Sequence, residues 1–493
     1  MSLNGPLTIS ANGRYFVDQS GIPVFIRGIA AWNFGTTGTP TDFSTFCSDI
    51  TALGYNAIQL IFADNQYNTG NTRNSSTWGP NYNGNLPFLR DTGGSTYSNA
   101  QTQNALISGS NINTSYFMDF DPFMDTAASS NLWNFFYISW DGNPQAGQPG
   151  TEGYDSAFAA TASSANLKSY ASTVVGRYGA SGTRSHSNLI YALIGDNIPS
   201  NASFMTDLAT GVRQSDTTTL MYVDGLDGDS DISRWGATTV TSGSTFNLLQ
   251  CDGVYSDPVV GGHPFMAAQC KTEWQNSAGN LSVYVLFEKE TIYEGAGSTR
   301  QNVRAETAWH SVLGGCIGGF FFGNNPLWQA PTNWATLIST TGSSDAQVAG
   351  AFFQSRAFWL LVPDYAAAFV TSGAGSVTSG TSVGGATISA YVSSARASDG
   401  SWGVIYAPNL GGTGSITVDL SGFSALVQAH WVDPTTGTLT PVTSSPFNVS
   451  GTAKNTGSAT ITTTPGTNAG GGTDWAIVMN VLETDIIAFA TNS

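Results

Sequence analysis

Short apolar runs alternate with amphipathic segments along the chain as far as about residue 325. Each run is a few residues long and stops at Gly, Asn or an acidic residue, which is typical of strands buried on both faces of a parallel sheet. Intervening segments such as "TDFSTFCSDITAL", "DFDPFMDTAAS" and "NLKSYASTVVGRYG" repeat apolar residues every three or four positions and predict helices. The eight runs begin at Pro23, Asn56, Leu132, Asn188, Leu220, Phe246, Leu281 and Ile317. Eight strands alternating with helices predict an α/β fold, a (β/α)8 TIM barrel.

The two ends of the chain follow a different pattern. The opening "LTISANGRYFVDQSGIPVFI" places turn residues between short strand-like stretches and predicts a hairpin that closes the floor of the barrel. Past Pro363, stretches such as "GSWGVIYAPN", "GSITVDLSGF" and "TDWAIVMN" alternate with a period of two between Gly, Pro and Asn. This pattern predicts short antiparallel strands. We therefore expect a barrel domain over residues 1–365 and an antiparallel β-sandwich domain over residues 366–493.

Charge and composition exclude some classes of binding partner. Charged residues make up only 10% of the 493 residues, and the formal net charge is −17. A chain this acidic cannot present the basic surface that nucleic acid requires. No run approaches the roughly 20 apolar residues that span a bilayer. A surface rich in Ser, Thr, Asn and Gly, with 13 Trp residues, suits an exported protein that handles neutral, hydroxyl-rich ligands. We expect a secreted or periplasmic monomer whose signal peptide is not part of this sequence.

Cysteine and histidine spacing indicates no metal site. The four cysteines, Cys47, Cys251, Cys270 and Cys316, contain no CxxC pair. Cys251 and Cys270 either form a disulfide in an oxidising compartment or are, like the other two, small buried hydrophobic residues. The acidic stretch "DGLDGDSD" lacks the Gly and Glu of a calcium loop, and the four His residues show no ligand spacing. No phosphate loop or dinucleotide fingerprint occurs, so we expect neither a metal nor another cofactor.

Carboxylates stand where two of the predicted strands end. The active sites of such barrels lie at the C-terminal ends of the strands. The fourth run, "YALIG", ends at Asp196, and the seventh ends at Glu288 and Glu290, with Glu294 in the following loop. Glycosidases use two carboxylates on opposite sides of the scissile bond, one as proton donor and the other as nucleophile or base. Glu288 and Glu290 are two residues apart and share one face of a strand, so the pattern does not choose between them.

Aromatic and polar residues at the remaining strand ends are candidates for sugar binding. Indole faces stack on the C–H faces of sugars, and amides and carboxylates bind their hydroxyl groups. The aromatic candidates are Trp32, Trp140, Trp235 and Trp328. The polar candidates are Asn33, Asp64, Asp141, Asn197, Asp224, Glu294, Asn324 and Asn325.

An ordered set of motifs resembles a known family. The stretches "ISANGRYFVDQSGIPVFIRGIAAW", "LGYNAIQL", "LIGDN", "ETIYEG", "RAETAWHSVLGGCIGGFFFGNNPLW" and "FWLLVPD" resemble the apiosidase-like family of bacterial glycoside hydrolases. In that family a catalytic barrel precedes a β domain that has been labelled collagen-binding. The resemblance extends over nearly the whole chain, including "WGVIYAPNLGG" and "HWVDPTTG" near its end.

The resemblance implies a role for each carboxylate. It assigns Asp196 as the general acid/base and Glu290 as the second carboxylate, with Glu288 as the next candidate. The sequence departs from the family where Ile29 replaces an acid after the first-strand glycine, and in "CDGVYSDPVVGGH" of the sixth-strand region. Both positions are expected to face the sugar, so apiose specificity and collagen binding are not carried over to this chain.

The resulting expectation is a glycoside hydrolase that acts on a plant or microbial polysaccharide or oligosaccharide. We expect a retaining mechanism in which Asp196 is protonated and Glu290 is ionised in the free enzyme, and hence a bell-shaped pH profile displaced toward acid. Two alternatives stay open at this point. One is a non-catalytic carbohydrate-binding or adhesion protein on a decayed barrel, and the other is a polysaccharide lyase, which the acidic chain disfavours because its substrate is a uronate.

Overall fold

The chain divides into two compact units, which are described separately. The computed structural model describes residues 3–63, 81–85, 87, 112–139, 163–195, 202–259, 263–279, 284–383, 386–409, 415–424, 426–443, 445–447, 457–462 and 464–481. The first unit comprises Met1–Tyr255, Asn276–Val285 and Gly323–Ile338, and the second comprises Ser256–Gln275, Leu286–Phe322 and Ser339–Ser493. The predicted boundary between residues 365 and 366 stays a prediction.

The eight apolar runs all contain strands. Ahead of them, an antiparallel sheet is formed by β1 (Thr8–Ile9), β2 (Phe16–Val17) and β3 (Pro23–Val24). Five parallel strands follow in spatial order: β4 (Ile26–Ala30), β5 (Ala57–Ile61), β6 (Trp133–Tyr137), β7 (Leu189–Ala192) and β8 (Met221–Tyr222). The other strands before residue 325 are β9 (Thr239–Ser242), β10 (Ser244–Asn247), β11 (Cys251–Tyr255), β12 (Val285–Glu290) and β13 (Gly319–Phe322). Most of β12 and all of β13 belong to the second unit. Every residue of β5, β6 and β7 is buried, as expected for strands covered on both faces.

Helices lie between these strands where the spacing predicts them. They are α1 (Phe34–Thr37), α2 (Pro40–Ala52), α3 (Thr114–Ser129), α4 (Ser164–Tyr178), α5 (Ala202–Ser215), α6 (Asp231–Trp235), α7 (Met266–Gly279), α8 (Arg300–Arg304), a π-helix (Ala305–His310), α9 (Ser311–Leu313), α10 (Trp334–Leu337), α11 (Thr341–Gln354) and 3₁₀ turns at Leu327–Gln329 and Phe358–Leu360. Local capping explains where several begin. The Thr39 hydroxyl accepts from the Asp42 amide (3.1 Å) ahead of Pro40, and the Ser163 hydroxyl accepts from the Asn166 amide (3.2 Å). The alternation of parallel strands and helices is a TIM-like α/β fold, which confirms the predicted fold class.

No described helix is both long enough and apolar enough to cross a bilayer.

The second unit contains the antiparallel strands predicted from the period of two. The larger sheet has the order β14 (Leu361–Pro363), β18 (Ser393–Ala397), β19 (Trp402–Ala407), β24 (Trp475–Val481), β21 (Val427–Val432) and β22 (Leu439–Pro441). The smaller sheet has the order β15 (Val370–Ser372), β20 (Ile416–Asp419) and β23 (Ser458–Ile461), and β16 (Gly380–Val383) pairs with β17 (Ala386–Ser389). Ile405 and Ile477 of the larger sheet share one hydrophobic core with Val418 and Ile461 of the smaller. The antiparallel domain is confirmed, and its description as a β-sandwich stays a prediction.

The disulfide between Cys251 and Cys270 is not formed. All four cysteines are free and buried. Cys251 lies on β11, whereas the Sγ of Cys270 on α7 lies 3.6 Å from the Sγ of Cys316. The disulfide alternative is therefore wrong, because the thiol that Cys270 faces is not the nearest one in the sequence. The alternative that the cysteines are small buried hydrophobic residues is confirmed.

Candidate functional site

Several sequence-predicted site residues fall in parts of the chain that the structure does not describe. The predicted proton donor Asp196 and its neighbour Asn197 lie outside the described residues, as do Asp64, Trp140 and Asp141. Their assignments stay predictions. The described candidates occur in both units.

A chain of buried hydrogen bonds connects four strands of the first unit, three of them at or just after their C-terminal ends and β5 at its middle residue. The Trp32 indole N–H, just after β4, donates to Gln59 Oε1 on β5 (2.8 Å). The Gln59 amide donates in turn to the Tyr137 hydroxyl at the end of β6 (3.2 Å). Tyr137 donates to Asp224 Oδ2 (2.7 Å), two residues after β8. The Tyr222 hydroxyl at the end of β8 donates to that of Tyr137 (3.1 Å). We call these five residues the polar chain.

The polar chain joins two predicted binding residues, Trp32 and Asp224, through Gln59 and Tyr137, and Tyr222 donates to Tyr137 from the side. None of these three residues was predicted from the sequence. Gln59, Tyr137 and Tyr222 are all buried. Gln59 is the one polar residue of the otherwise apolar strand "AIQLI", which was an available signal. The tyrosines carried no comparable signal, because a Tyr in an apolar strand is usually a core residue.

Aromatic rings cluster at one end of the polar chain. The Trp32 and Trp328 rings meet edge to face with centroids 6.3 Å apart, and the Trp32 and Tyr137 centroids are 6.0 Å apart. The Asn33 amide donates to the Trp328 carbonyl (3.0 Å), which ties the residue after Trp32 to the turn that carries Trp328. The structure therefore brings together Trp32, Asn33, Trp328 and Asp224 of the predicted set.

Three other predicted residues, Trp235, Asn324 and Asn325, belong to the first unit. Trp235 ends α6, is buried, and accepts at its carbonyl from the Thr238 amide (2.9 Å). Among the described residues no hydrogen bond or ring contact joins Trp235 to the polar chain. Asn324 is buried, and Asn325 next to it is exposed.

The two carboxyl groups of β12 have different surroundings. Glu288 has 0% exposure, and its Oε2 accepts from the Phe321 amide of β13 (2.8 Å). Burial raises the pKa of Glu288 well above its ordinary value, although the Phe321 amide acts in the opposite direction. Glu290 is the last residue of β12 and retains 6% exposure. The structure thus distinguishes an inner carboxyl that favours the neutral form from an outer one at the strand end.

Hydrogen bonds anchor the backbone around Glu290. The Ser256 amide donates to the Glu290 carbonyl (3.3 Å), and the Thr291 hydroxyl donates to the Ser256 carbonyl (2.7 Å). The end of β12 is therefore attached to Ser256 at two consecutive residues, which fixes the backbone from which the Glu290 side chain extends.

Glu294 binds the N-terminus of α11. Its Oε1 accepts from the Gly342 amide (2.9 Å), and its Oε2 accepts from the Thr340 hydroxyl. Gly342 has no room for a side chain here, since a Cβ would lie 2.8 Å from the Glu294 carboxyl carbon. A carboxylate at this position satisfies exposed helix amides and complements the helix dipole. These contacts give Glu294 a structural role, and its predicted part in sugar binding stays a prediction.

A buried acid that the sequence analysis did not select lies on the π-helix. Glu306 accepts at Oε2 from the Met266 amide (2.7 Å), the first amide of α7. Burial is the main reason why the pKa of Glu306 is raised to about 7; backbone hydrogen bonds from Met266 and Ser389 act in the opposite direction, and nearby Asp257 adds a smaller upward shift to the same net value. The motif "RAETAWH" contains this residue, but its spacing alone does not show that the side chain turns inward.

The raised pKa of Glu306 predicts a loss of stability with rising pH. In the unfolded chain the carboxyl ionises near its ordinary pKa of 4.5, whereas the folded protein holds the proton until about pH 7. The free energy of unfolding should therefore fall between these pH values, by on the order of 3 kcal/mol for this group, and then level off. Glu306→Gln, which keeps an acceptor for the Met266 amide, should remove this part of the decline. Urea unfolding of both proteins at pH 4.5 and 7.5 measures it, and parallel pH dependences would contradict the assignment.

The acidic stretch after β8 is held by protein groups. Asp229 pairs with Arg234 (2.5 Å), and Asp231 accepts from the Gly225 amide (3.1 Å). Across the described ranges, no group of three or more His, Cys, Asp or Glu side chains is arranged to hold a metal ion.

Comparisons with known proteins identify the family. A model of the apiosidase-like catalytic domain matches residues 10–360, more than half of the chain. The crystal structure of a glycoside hydrolase family 5 protein from Bacteroides vulgatus ATCC 8482 is similar, with a TM-score of 0.70, 16% identity, and coverage of 98% of this chain and 95% of that one. A second solved structure, described as a glycoside hydrolase, gives a TM-score of 0.67 at 17% identity and covers 98% of both chains. These identities show a shared fold, and no functionally curated protein matches the sequence. The chain belongs to the apiosidase-like family and is a glycoside hydrolase.

Proposed function

We propose that this enzyme hydrolyses glycosidic bonds in a plant or microbial polysaccharide or oligosaccharide with retention of configuration. Asp196 is the proposed proton donor, Glu290 the proposed nucleophile, and Glu288 the next candidate for that role. The proposed mechanism requires no metal and no other cofactor.

The observation that carries the proposal is the contrast between Glu288 and Glu290. A nucleophilic carboxylate must be ionised and must reach the anomeric carbon. Glu288 meets neither condition readily, since it is fully buried and its pKa is raised. Glu290 lies at the end of β12 and keeps some exposure. The end of a barrel strand is the usual place for catalytic groups in this fold.

The proposed reaction has two steps. In the first, Asp196 donates its proton to the leaving oxygen while a Glu290 oxygen attacks the anomeric carbon, so that the glycosidic C–O bond breaks and a glycosyl ester forms. In the second, Asp196 removes a proton from water, whose oxygen attacks the anomeric carbon and releases Glu290. Two inversions at one carbon give overall retention.

The chemistry of the first unit supports a neutral sugar as substrate. The indole rings of Trp32 and Trp328 are the type of surface on which sugars stack. Asp224 is a hydrogen-bond acceptor, and the net charge of −17 disfavours an anionic polymer. Trp140, Asp141, Asn197, Trp235 and Asn324 are retained as proposed substrate contacts. The same features would also serve an adhesion protein, but the match to a catalytic domain favours the hydrolase.

Reducing-sugar release from a panel of plant and bacterial polysaccharides, apiose-containing oligosaccharides and aryl glycosides tests this function. NMR of the first product formed reads the anomeric configuration before mutarotation. Release with retention is the expected result. Initial formation of the opposite anomer would contradict Glu290 as nucleophile and make it a general base. Glycan binding without release would contradict hydrolysis by this chain.

Export and the monomeric state also belong to the proposal. We propose a secreted or periplasmic enzyme that acts as a monomer. Fractionation of the source cells and light scattering of the purified protein test the two statements separately.

A further inference from the structure

We propose that Tyr137 and Asp224 are positioning residues that hold the C-terminal end of β7. The inference rests on the proposed function in one respect, because the predicted proton donor follows this strand in the sequence. Every contact that carries it lies among described residues of the first unit.

The strand register places Tyr137 and Tyr222 on the two strands that flank β7. Tyr137 of β6 is the partner of Ala192, and Ala192 is the partner of Tyr222 of β8. Partners in a parallel sheet point to the same face. The methyl group of Ala192 is small, and the hydroxyls of Tyr137 and Tyr222 lie 3.1 Å apart on this face. The bond from Tyr137 to Asp224 therefore connects the two neighbours of β7.

Backbone hydrogen bonds extend this connection beyond the end of β7. The Leu193 amide donates to the Tyr222 carbonyl (3.0 Å), and the Asp224 amide donates to the Ile194 carbonyl (3.3 Å). On the other side, the Ser139 hydroxyl donates to the Leu193 carbonyl (2.8 Å). Ile194 is two residues before Asp196 in the sequence. Both neighbouring strands thus hold the segment that leads to the predicted proton donor.

The direction of every bond in the polar chain is determined by its two ends. An indole N–H can only donate, so Gln59 must present its oxygen to Trp32 and its amide to Tyr137. At the other end of the polar chain, Asp224 Oδ2 accepts the proton of the Tyr137 hydroxyl. Tyr137 then accepts from both Gln59 and Tyr222. Removing its hydroxyl takes an acceptor from the buried Gln59 amide and a donor from Asp224, and the loss of a hydrogen bond between buried polar groups is costly.

A more mobile C-terminal end of β7 should slow proton donation to the leaving group. A displacement of about 1 Å at a reacting group can reduce a rate about 100-fold. Departure of a strongly basic leaving group needs a proton from the enzyme, whereas a 2,4-dinitrophenolate leaves without one. A displaced proton donor should therefore lower the rate more for a strongly basic leaving group than for 2,4-dinitrophenolate. A loss of folded protein should lower both rates equally.

The test compares Tyr137→Phe with the wild type on two aryl glycosides of the sugar found by the substrate panel. We expect kcat/KM to fall about 10- to 100-fold for the phenyl glycoside and less than about threefold for the 2,4-dinitrophenyl glycoside. Equal losses on both substrates, or no loss on either, would overturn the proposal. Asp196→Asn should show the same dependence of the loss in kcat/KM on the leaving group, with larger losses than Tyr137→Phe. If it shows none, the assignment of Asp196 fails and the role of Tyr137 is judged by the exchange measurement below.

Tyr191→Phe is the matched control. Tyr191 lies on β7 itself, and its hydroxyl donates to a buried aspartate, Asp216 Oδ2 (2.9 Å), which follows α5. The variant removes the same type of bond, from a tyrosine hydroxyl to a buried aspartate, but Tyr191 points to the opposite face of β7 from Ala192. It should lower thermal stability and leave the leaving-group dependence unchanged. If Tyr191→Phe showed the same leaving-group dependence as Tyr137→Phe, any weakening of β7 would have this effect, and the specific role of Tyr137 would be contradicted.

Hydrogen–deuterium exchange provides a readout that needs no substrate. In Tyr137→Phe, peptides that contain the Leu193 and Asp224 amides should exchange at least about tenfold faster, whereas β4 should keep the wild-type rate. Unchanged exchange at Leu193 and Asp224 would overturn the proposal even if activity were lost. Faster exchange at the end of β7 with no detectable hydrolysis would support the positioning role of Tyr137 and Asp224 and reject the proposed function.

Discussion

Glu290→Gln is expected to lower kcat by roughly three to five orders of magnitude, as removal of a catalytic nucleophile does. The amide has nearly the shape of the carboxyl group but is a poor nucleophile and carries no charge to stabilise the transition state. The affinity for an unreacted glycan should change little. Turnover of a substrate from the panel, with glycan binding measured beside it by calorimetry, separates the two effects.

Glu288→Gln is the matched control for this prediction. Because burial holds the Glu288 carboxyl toward its neutral form, an amide is a close substitute for it, and its oxygen can still accept from the Phe321 amide. We expect kcat to fall less than about tenfold. A large loss in Glu288→Gln together with an active Glu290→Gln would reverse the assignment. Equal large losses would show that both carboxyl groups are needed.

Arg304→Met should lower the free energy of unfolding far more than a substitution in an exposed ion pair. The Arg304 side chain has 1% exposure, and its Nε and Nη2 donate to the two oxygens of Asp474 (2.7 and 2.5 Å). Its Nη1 also donates to Asp345 Oδ2 (3.1 Å). Removal of one partner leaves a buried charge without compensation, which costs about 3–5 kcal/mol. Asp345 keeps its bonds to Arg300, so most of the cost should arise at Asp474.

Arg234→Met is the control, because it breaks an exposed pair of similar length. Arg234 and Asp229 are joined at 2.5 Å, with side-chain exposures of 41% and 37%. Solvent screening limits such a pair to about 1 kcal/mol or less. Denaturant unfolding of both variants measures the difference. Similar losses in the two variants would mean that the Arg304 bonds contribute no more than a surface pair.

The strands and their boundaries follow closely from local pattern. Each of the eight apolar runs contains a strand, and the helices α2, α3 and α4 lie where apolar residues recur every three or four positions. The reason is physical: a strand covered on both faces must be apolar throughout, and a helix with one buried face must repeat at its own period. Capping residues such as Thr39 and Ser163 mark helix starts for equally local reasons.

The site was predictable only to the level of strand ends. The spacing of Glu288 and Glu290 shows that they share a face, but not that Glu288 has 0% exposure and Glu290 6%, because burial depends on residues distant in the chain. Gln59 and Tyr137 are 78 residues apart, and Tyr137 and Asp224 are 87 apart, so no local period could reveal their bonds. Glu294 illustrates the same limit, since its helix partner lies 48 residues away.

By itself, the sequence determined the order of the strands and helices, the antiparallel character of the C-terminal part and the family to which the enzyme belongs. These depend on local periodicity and on motifs that keep their order along the chain. Only the tertiary structure decided that Cys270 faces Cys316 and not Cys251, that Glu288 is the inner carboxyl, and that a polar chain crosses the end of β7. Those outcomes depend on which distant residues folding brings within a few ångströms, where desolvation and hydrogen-bond geometry act.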